Sequence, residues 1–202
     1  MRPLKIMGAW EIAPRQHTDA RGLFLEWYRS DRLAEEVGRP LRLAQANMSV
    51  SGQGVVRGIH VAHVPPGQAK YVTCVRGAVF DVTVDLRVGS PTYGRWDGVR
   101  LDDVGRKAVY LSEGLGHGFC ALTDNATVCY LTSETYDPAV EQCVHALDSE
   151  LAVDWPVDAP TLSPRDEAAP SLAEARESGL LSDYAACRAL DTALGTAWRA
   201  AQ

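Results

Sequence analysis

Between Lys5 and about Val153 the chain is written in short apolar runs broken by glycine, proline and aspartate. Runs at 23–29, 43–50, 54–60, 69–75, 78–86, 96–101, 108–111, 117–121 and 127–132 predict strands. The clearest is VFDVTVDL, with Phe80, Val82 and Val84 on one face and Asp81, Thr83 and Asp85 on the other. That period of two is the signature of a half-buried strand. The turn-forming stretches SGQG, PPGQ, GSPTYG and TDN separate the runs, and many short strands at such spacing predict a barrel or sandwich. Only SDRLAEEV, with a serine/aspartate start and Gly38 behind it, predicts a helix in this half.

After Trp155 the pattern changes. DWPVDAPTLSPRDEAAPS is proline-rich and irregular, and the text from Ser171 onward carries helical spacing, with Ser171 placed to cap and Glu174 three residues on. The expected organisation is a β-barrel domain over residues 1–155. An irregular segment and helices over 156–202 then pack on the same domain. There is no internal repeat and no linker long enough to separate two domains.

Composition narrows the picture. The 202 residues are 46% hydrophobic and carry a formal net charge of -6, with no lysine/arginine block, which argues against a nucleic-acid partner. No apolar run is long enough to span a bilayer and no signal peptide is indicated, so no membrane is expected. Cys74, Cys120, Cys129, Cys143 and Cys187 are odd in number, scattered and without a CxxC pair, which predicts free thiols in a reducing, cytoplasmic setting. The only lysines are Lys5, Lys70 and Lys107, so Lys70 inside an apolar strand stands out.

Three clusters could carry chemistry. In GVVRGIHVAHVPPGQAKYVTCVRG, His60 ends a strand, Arg57 precedes it by three and Lys70 lies on the next strand. That odd spacing sends Arg57 and His60 to opposite faces unless Gly58 allows a bulge. A lone histidine is more often a core residue tied to a carbonyl; the company of a lysine and an arginine shifts the balance toward a site. In YLSEGLGHGFCALTDNATVCYLTSETYDP, His117 follows a glycine-rich turn, and Tyr130 divides evenly between a barrel-filling aromatic and a proton donor. In LSPRDEAAP, Asp166 is either a solvated loop carboxylate or one that folds back to orient a histidine. A metal-binding cupin would carry His-x-His and a glutamate; here His60 and His63 are separated by two residues rather than one and Gln68 or Lys70 takes the acidic place. An ammonium there would repel a cation, so no metal is expected.

Taken together, DARGLFLEWY, AQANMSVSGQGVVRGIH, PPGQAKYVTCVRGAVFDVTVDLRVGSPTYGRW, VYLSEGLGHGFCAL, TSETYDP and LSPRD resemble the dTDP-4-dehydrorhamnose 3,5-epimerase family of metal-free cupins, from about Thr18 to Asp166. The resemblance implies a mainly β, cupin-type jelly-roll barrel or sandwich with short C-terminal helices. It implies an isomerase without cofactor, acting on a dTDP-4-keto-6-deoxyhexose. His60 then matches the base, Asp166 its dyad partner, Lys70 the lysine beside the keto oxygen, and Tyr130 the proton donor on the opposite face. Arg21 and Arg57 match arginines that hold the diphosphate. Phe24, Glu26, Gln45, Asn47, His117 and Tyr136 match positions lining the nucleotide or sugar. The family also implies a homodimer that exchanges N-terminal strand segments, so some of these contacts come from the partner.

Two departures bear on the product. Val61 follows His60, and Tyr130 is followed by Leu131 where the family has Tyr-Lys. Both resemble the branch that makes deoxysugars for secondary metabolites such as antibiotics, in which some members invert C3 alone. The expectation is inversion at C3 and C5. The competing readings are a C3-only epimerase, a metal-dependent cupin enzyme, and an inactive sugar-nucleotide-binding barrel.

Overall fold

The computed structural model describes all 202 residues, Met1–Gln202. Two antiparallel sheets face each other. The six-stranded sheet runs β1 (Arg2–Pro3), β2 (Ala9–Ile12), β10 (Ala108–Leu111), β7 (Lys70–Arg76), β12 (Ala126–Thr132) and β5 (Gln45–Ser51). The five-stranded sheet runs β13 (Glu141–Cys143), β6 (Val56–Ala62), β11 (Leu115–Ala121), β8 (Ala78–Asp85) and β9 (Trp96–Asp102). From β5 to β12 the chain passes repeatedly from one sheet to the other, which is the jelly-roll arrangement of a cupin. A separate hairpin, β3 (Gln16–Asp19) and β4 (Gly22–Leu25), pairs only with itself.

Helix α1 spans Ser30–Val37 and ends at Gly38, whose φ of 87° is the left-handed conformation glycine adopts without penalty. Its start lacks the side-chain cap that the serine and aspartate suggested; Arg29 is the N-cap residue and makes no such bond. Near the C-terminus come α2 (Pro164–Glu167), α3 (Leu172–Glu177) and α4 (Tyr184–Ala200). The expected Ser171/Glu174 capping box forms at α3. At 17 residues, α4 is the longest of the three C-terminal helices. No helix is long and apolar enough to cross a membrane.

Three apolar clusters hold these layers. Between the sheets, Val72, Val79, Val109, Phe119 and Val128 share one core. Outside the five-stranded sheet, Val56, Ile59, Val82 and Val84 meet Trp155, Leu172 and Leu181 from the C-terminal segment. Outside the six-stranded sheet, Tyr71, Tyr110 and Leu131 meet Leu33 of α1 and Leu41. This corrects the reading of VFDVTVDL as half-buried: β8 is covered on both sides. The apolar face lies under the C-terminal segment, and the polar face of Asp81, Thr83 and Asp85 is buried as well. Asp81 and Thr83 share a face with Val79 of the inner core, so the polar face is the inside of the sandwich.

The bulge allowed by Gly58 is present. Against β11, His60 pairs with His117 and Arg57 with Phe119, so Gly58 and Ile59 oppose Gly118 alone. Gly58 has φ 127°, and a Cβ there would stand 2.7 Å from the Gly118 Cα and 2.8 Å from the His117 carbonyl oxygen. Gly58→Ala is therefore expected to lower the unfolding free energy by more than about 1 kcal/mol. Urea denaturation followed by tryptophan fluorescence measures this; an unchanged midpoint would show that the strand relaxes around the methyl group.

Candidate active site

The interior of the sandwich is apolar at one end and polar at the other. Because of the bulge, Arg57 and His60 face the same way as their cross-strand partners Phe119 and His117, into the gap between the sheets. From the opposite sheet, Lys70 lies beside Thr132, Tyr130 beside Asn47, and Gln45 beside Thr132. These share a face with Val72 and Val128 of the inner core, so they too point inward.

His60 Nε2 lies 2.7 Å from Asp166 Oδ1. The segment that brings Asp166 there is largely irregular, as the proline-rich text suggested, with one regular piece at Asp166 itself. That piece is the single turn of α2, opened by Pro164 and capped by Ser163, whose hydroxyl accepts from the Asp166 N–H. Burial raises the Asp166 carboxyl, but hydrogen bonds from His60 and Ser163 outweigh it and hold the group below the usual carboxylate range. The ionised carboxylate can only accept, so Nε2 donates to it and the imidazole is held in one orientation.

Lys70 is buried and donates at 2.6 Å to Gln68 Oε1, a neutral acceptor. Burial lowers its pKa, and the carboxylate of Glu141 acts in the opposite direction. No carboxylate pairs with it directly, so an anion forming nearby is the counter-charge it lacks. Tyr130 is partly buried; burial pushes its phenol well above the usual range, and its OH lies 3.1 Å from Ser49 Oγ. The His117 ring packs edge-on against Tyr130 at a centroid distance of 6.0 Å. His117 Nε2 bonds Asp81 Oδ2 at 2.7 Å, deep in the interior. His117 thus stands between His60, its partner across the strands, and Tyr130 on the facing sheet.

The remaining expected residues divide. Arg57 reaches from β6 to β5, donating from Nε to Ser51 Oγ at 3.0 Å. Gln45 and Asn47 bond each other at 2.7 Å, and the Gln45 carbonyl oxygen Oε1 also accepts from the N–H of Tyr136, an exposed residue. Arg21, Phe24 and Glu26 are not brought to this cavity by the chain's own fold. Arg21 pairs with Asp19 on the hairpin, Phe24 is exposed, and Glu26 pairs with Arg29 in solvent. Sequence reasoning missed Asp81, Ser49, Gln68 and Glu141. Asp81 had a signal in the alternation of β8, read there as a solvent face; the others become visible only through their partners.

A family model described as dTDP-4-dehydrorhamnose 3,5-epimerase matches residues 3–174. The chain belongs to that family. Over 94% of its length it is 70% identical to a dTDP-4-dehydrorhamnose 3-epimerase of Streptomyces niveus, of which 92% is covered. A dTDP-4-dehydrorhamnose 3,5-epimerase of Mycolicibacterium smegmatis is 56% identical over 93% of both chains. Among solved structures, a 4-keto-6-deoxy sugar epimerase from the novobiocin biosynthetic gene cluster of Streptomyces spheroides superposes with a TM-score of 0.91 at 72% identity. The match covers 92% of this chain and 94% of that one. The mainly β, cupin-type fold is therefore that of the epimerase family.

The depressed Asp166 carboxyl sets a pH dependence. With its folded value below the unfolded value of about 4, its stabilising contribution is complete above that pH and disappears as pH falls through the depressed value. Asp166→Asn is expected to cost about 1–3 kcal/mol at neutral pH and progressively less as the pH falls below the unfolded value of about 4. Urea titrations across that range test it; a deficit independent of pH contradicts it.

Proposed function

We propose that this epimerase-family chain inverts C3 and C5 of dTDP-4-keto-6-deoxy-D-glucose through an enolate, with protein side chains alone as the reacting groups. The observation that supports this reading is the His60–Asp166 bond on one sheet facing Tyr130 on the other, with His117 packed on Tyr130 and Lys70 on the same inward face as Tyr130. The C4 ketone acidifies the protons on its neighbouring carbons. His60 Nδ1 takes one of them; the bonding pair moves into the enolate and charge gathers on O4. Asp166 stabilises the imidazolium, and Lys70 stabilises the oxyanion, a contribution worth about 3 kcal/mol for one such donor. Tyr130 then gives its phenolic proton to the other face of the carbon, which inverts the centre. The barrel over 1–155 supplies the groups in the interior, and the 156–202 segment supplies Asp166. Arg57, Gln45, Asn47, His117 and Tyr136 bind the nucleotide sugar.

Arg21, Phe24 and Glu26 join from a partner subunit in a homodimer. Support comes from the hairpin of β3 and β4, which pairs with no barrel strand, and from Phe24, Leu23, Met48 and Val50, apolar yet exposed. Sedimentation velocity at micromolar concentration is expected to give a species of twice the chain mass; a monomer would leave those three residues outside the site. Five free cysteines fit a cytoplasmic enzyme, and the novobiocin-cluster relative fits a place in antibiotic deoxysugar synthesis.

A second reading is inversion at C3 alone. It is favoured by the higher identity to the 3-epimerase than to the 3,5-epimerase. NMR of the reaction in deuterated water separates the two: label and inversion at both C3 and C5 supports the first, and label and inversion at C3 alone selects the second. No label at either carbon refutes both. His60→Ala is expected to abolish exchange. Tyr130→Phe should slow inversion roughly 100- to 10,000-fold while leaving the first proton loss nearly intact.

A further inference from the structure

Ser49 lies on β5, two positions along from the cross-strand partner of Tyr130: Asn47 pairs with Tyr130, and Ser49 pairs with Val128. On one face of an antiparallel pair that diagonal is within reach, and the Ser49 hydroxyl lies 3.1 Å from the phenol oxygen. It is the one hydrogen-bond partner of that oxygen. The tyrosine ring packs against the inner core and, edge to face, against His117, which makes no bond to the OH. We infer that Ser49 is a positioning residue for inversion, holding the Tyr130 hydroxyl at the reacting carbon and donating to the phenolate once the proton has left.

The inference deepens the role proposed for Tyr130 and rests on it. While the phenol is neutral, the two hydroxyls share an ordinary bond that either can donate. When Tyr130 transfers its proton to carbon, the new C–H bond takes the enolate pair and the negative charge passes to the phenol oxygen. Only Ser49 can then donate to it, so the bond becomes charge-assisted at the moment of protonation. An interaction that strengthens only there accelerates that step and leaves substrate binding unchanged. The environment makes such help consequential. Burial opposes the phenolate, and the Ser49 hydrogen bond together with the more distant Arg57 charge acts in its favour. Proton removal by His60 on the opposite face does not involve Ser49.

The test is Ser49→Ala against Ser49→Thr, followed by NMR in deuterated water, with Tyr130→Phe run beside them. Threonine keeps the hydroxyl and suits a strand. In Ser49→Ala, deuterium uptake and KM should stay within about twofold of the unmodified enzyme while inversion falls roughly 10- to 100-fold. The ratio of exchange to inversion then rises, which a general loss of folded protein would not produce. The pH profile for inversion should lose its alkaline side differently from that for exchange. Ser49→Thr should recover most of the inversion rate. If Ser49→Ala inverts as fast as the unmodified enzyme while Tyr130→Phe is slow, the Ser49 inference is overturned and the tyrosine's role stands. Alanine and threonine equally impaired in both exchange and inversion would overturn it too. If Tyr130→Phe itself inverts normally, the proposed role of Tyr130 fails first.

Discussion

The site depends on a count of residues: two on β6 against one on β11. In a regular antiparallel ladder, side chains three apart point to opposite faces, and either Arg57 or His60 would be buried among Val56, Ile59 and Val61. Placing Gly58 and Ile59 opposite Gly118 absorbs one residue and turns both polar side chains inward. Neither glycine is replaceable at that spacing, since a Cβ on Gly58 or on Gly118 would meet the other strand's backbone below 3.0 Å. The close approach of two bare backbones makes room for an arginine and a histidine in one cavity.

A second constraint follows from the first. A polar interior is costly unless each group finds a partner. The sandwich answers with paired groups: Asp166 with His60, Asp81 with His117, Gln68 with Lys70, Ser51 with Arg57 and Ser49 with Tyr130. Most of these pairs couple a residue suited to chemistry with one that fixes its direction. The C-terminal segment serves both purposes. Trp155, Leu172 and Leu181 cover the outer face of the five-stranded sheet, and the turn of α2 between them sends Asp166 to the rim. Elsewhere α4 is tied down by polar contacts, with Arg39 bonded to both Asp191 and Glu113. The stability of the fold and the orientation of His60 share one stretch of chain.

Much of this was legible in the residues. Strand positions followed from apolar runs and turn residues, and their edges moved by only a few positions on pairing. Helix α1 was marked by its composition and by Gly38. The short strands β2, β3 and β13 were missed, since three or four residues of mixed polarity carry no periodic signal. Lys70 stood out because a lysine in an apolar strand requires an explanation, and its burial supplies one. Asp81 was misread for the opposite reason. A polar alternation looks the same whether it faces solvent or the inside of a barrel.

The amino-acid order by itself determined most of the segments that form strands, that Arg57 and His60 needed a bulge to share a face, and which family the chain joins. These are local or pattern-level properties, set by side-chain period, by glycine's freedom and by motif order. The resemblance anticipated Asp166 as the partner of His60, but tertiary structure decided that a turn of helix delivers it across 106 positions, that Ser49 meets Tyr130, and that the hairpin bearing Arg21 and Phe24 stays apart from the barrel. Such contacts arise from how two sheets face each other and where a distant segment docks. No spacing along the chain encodes a distance between surfaces.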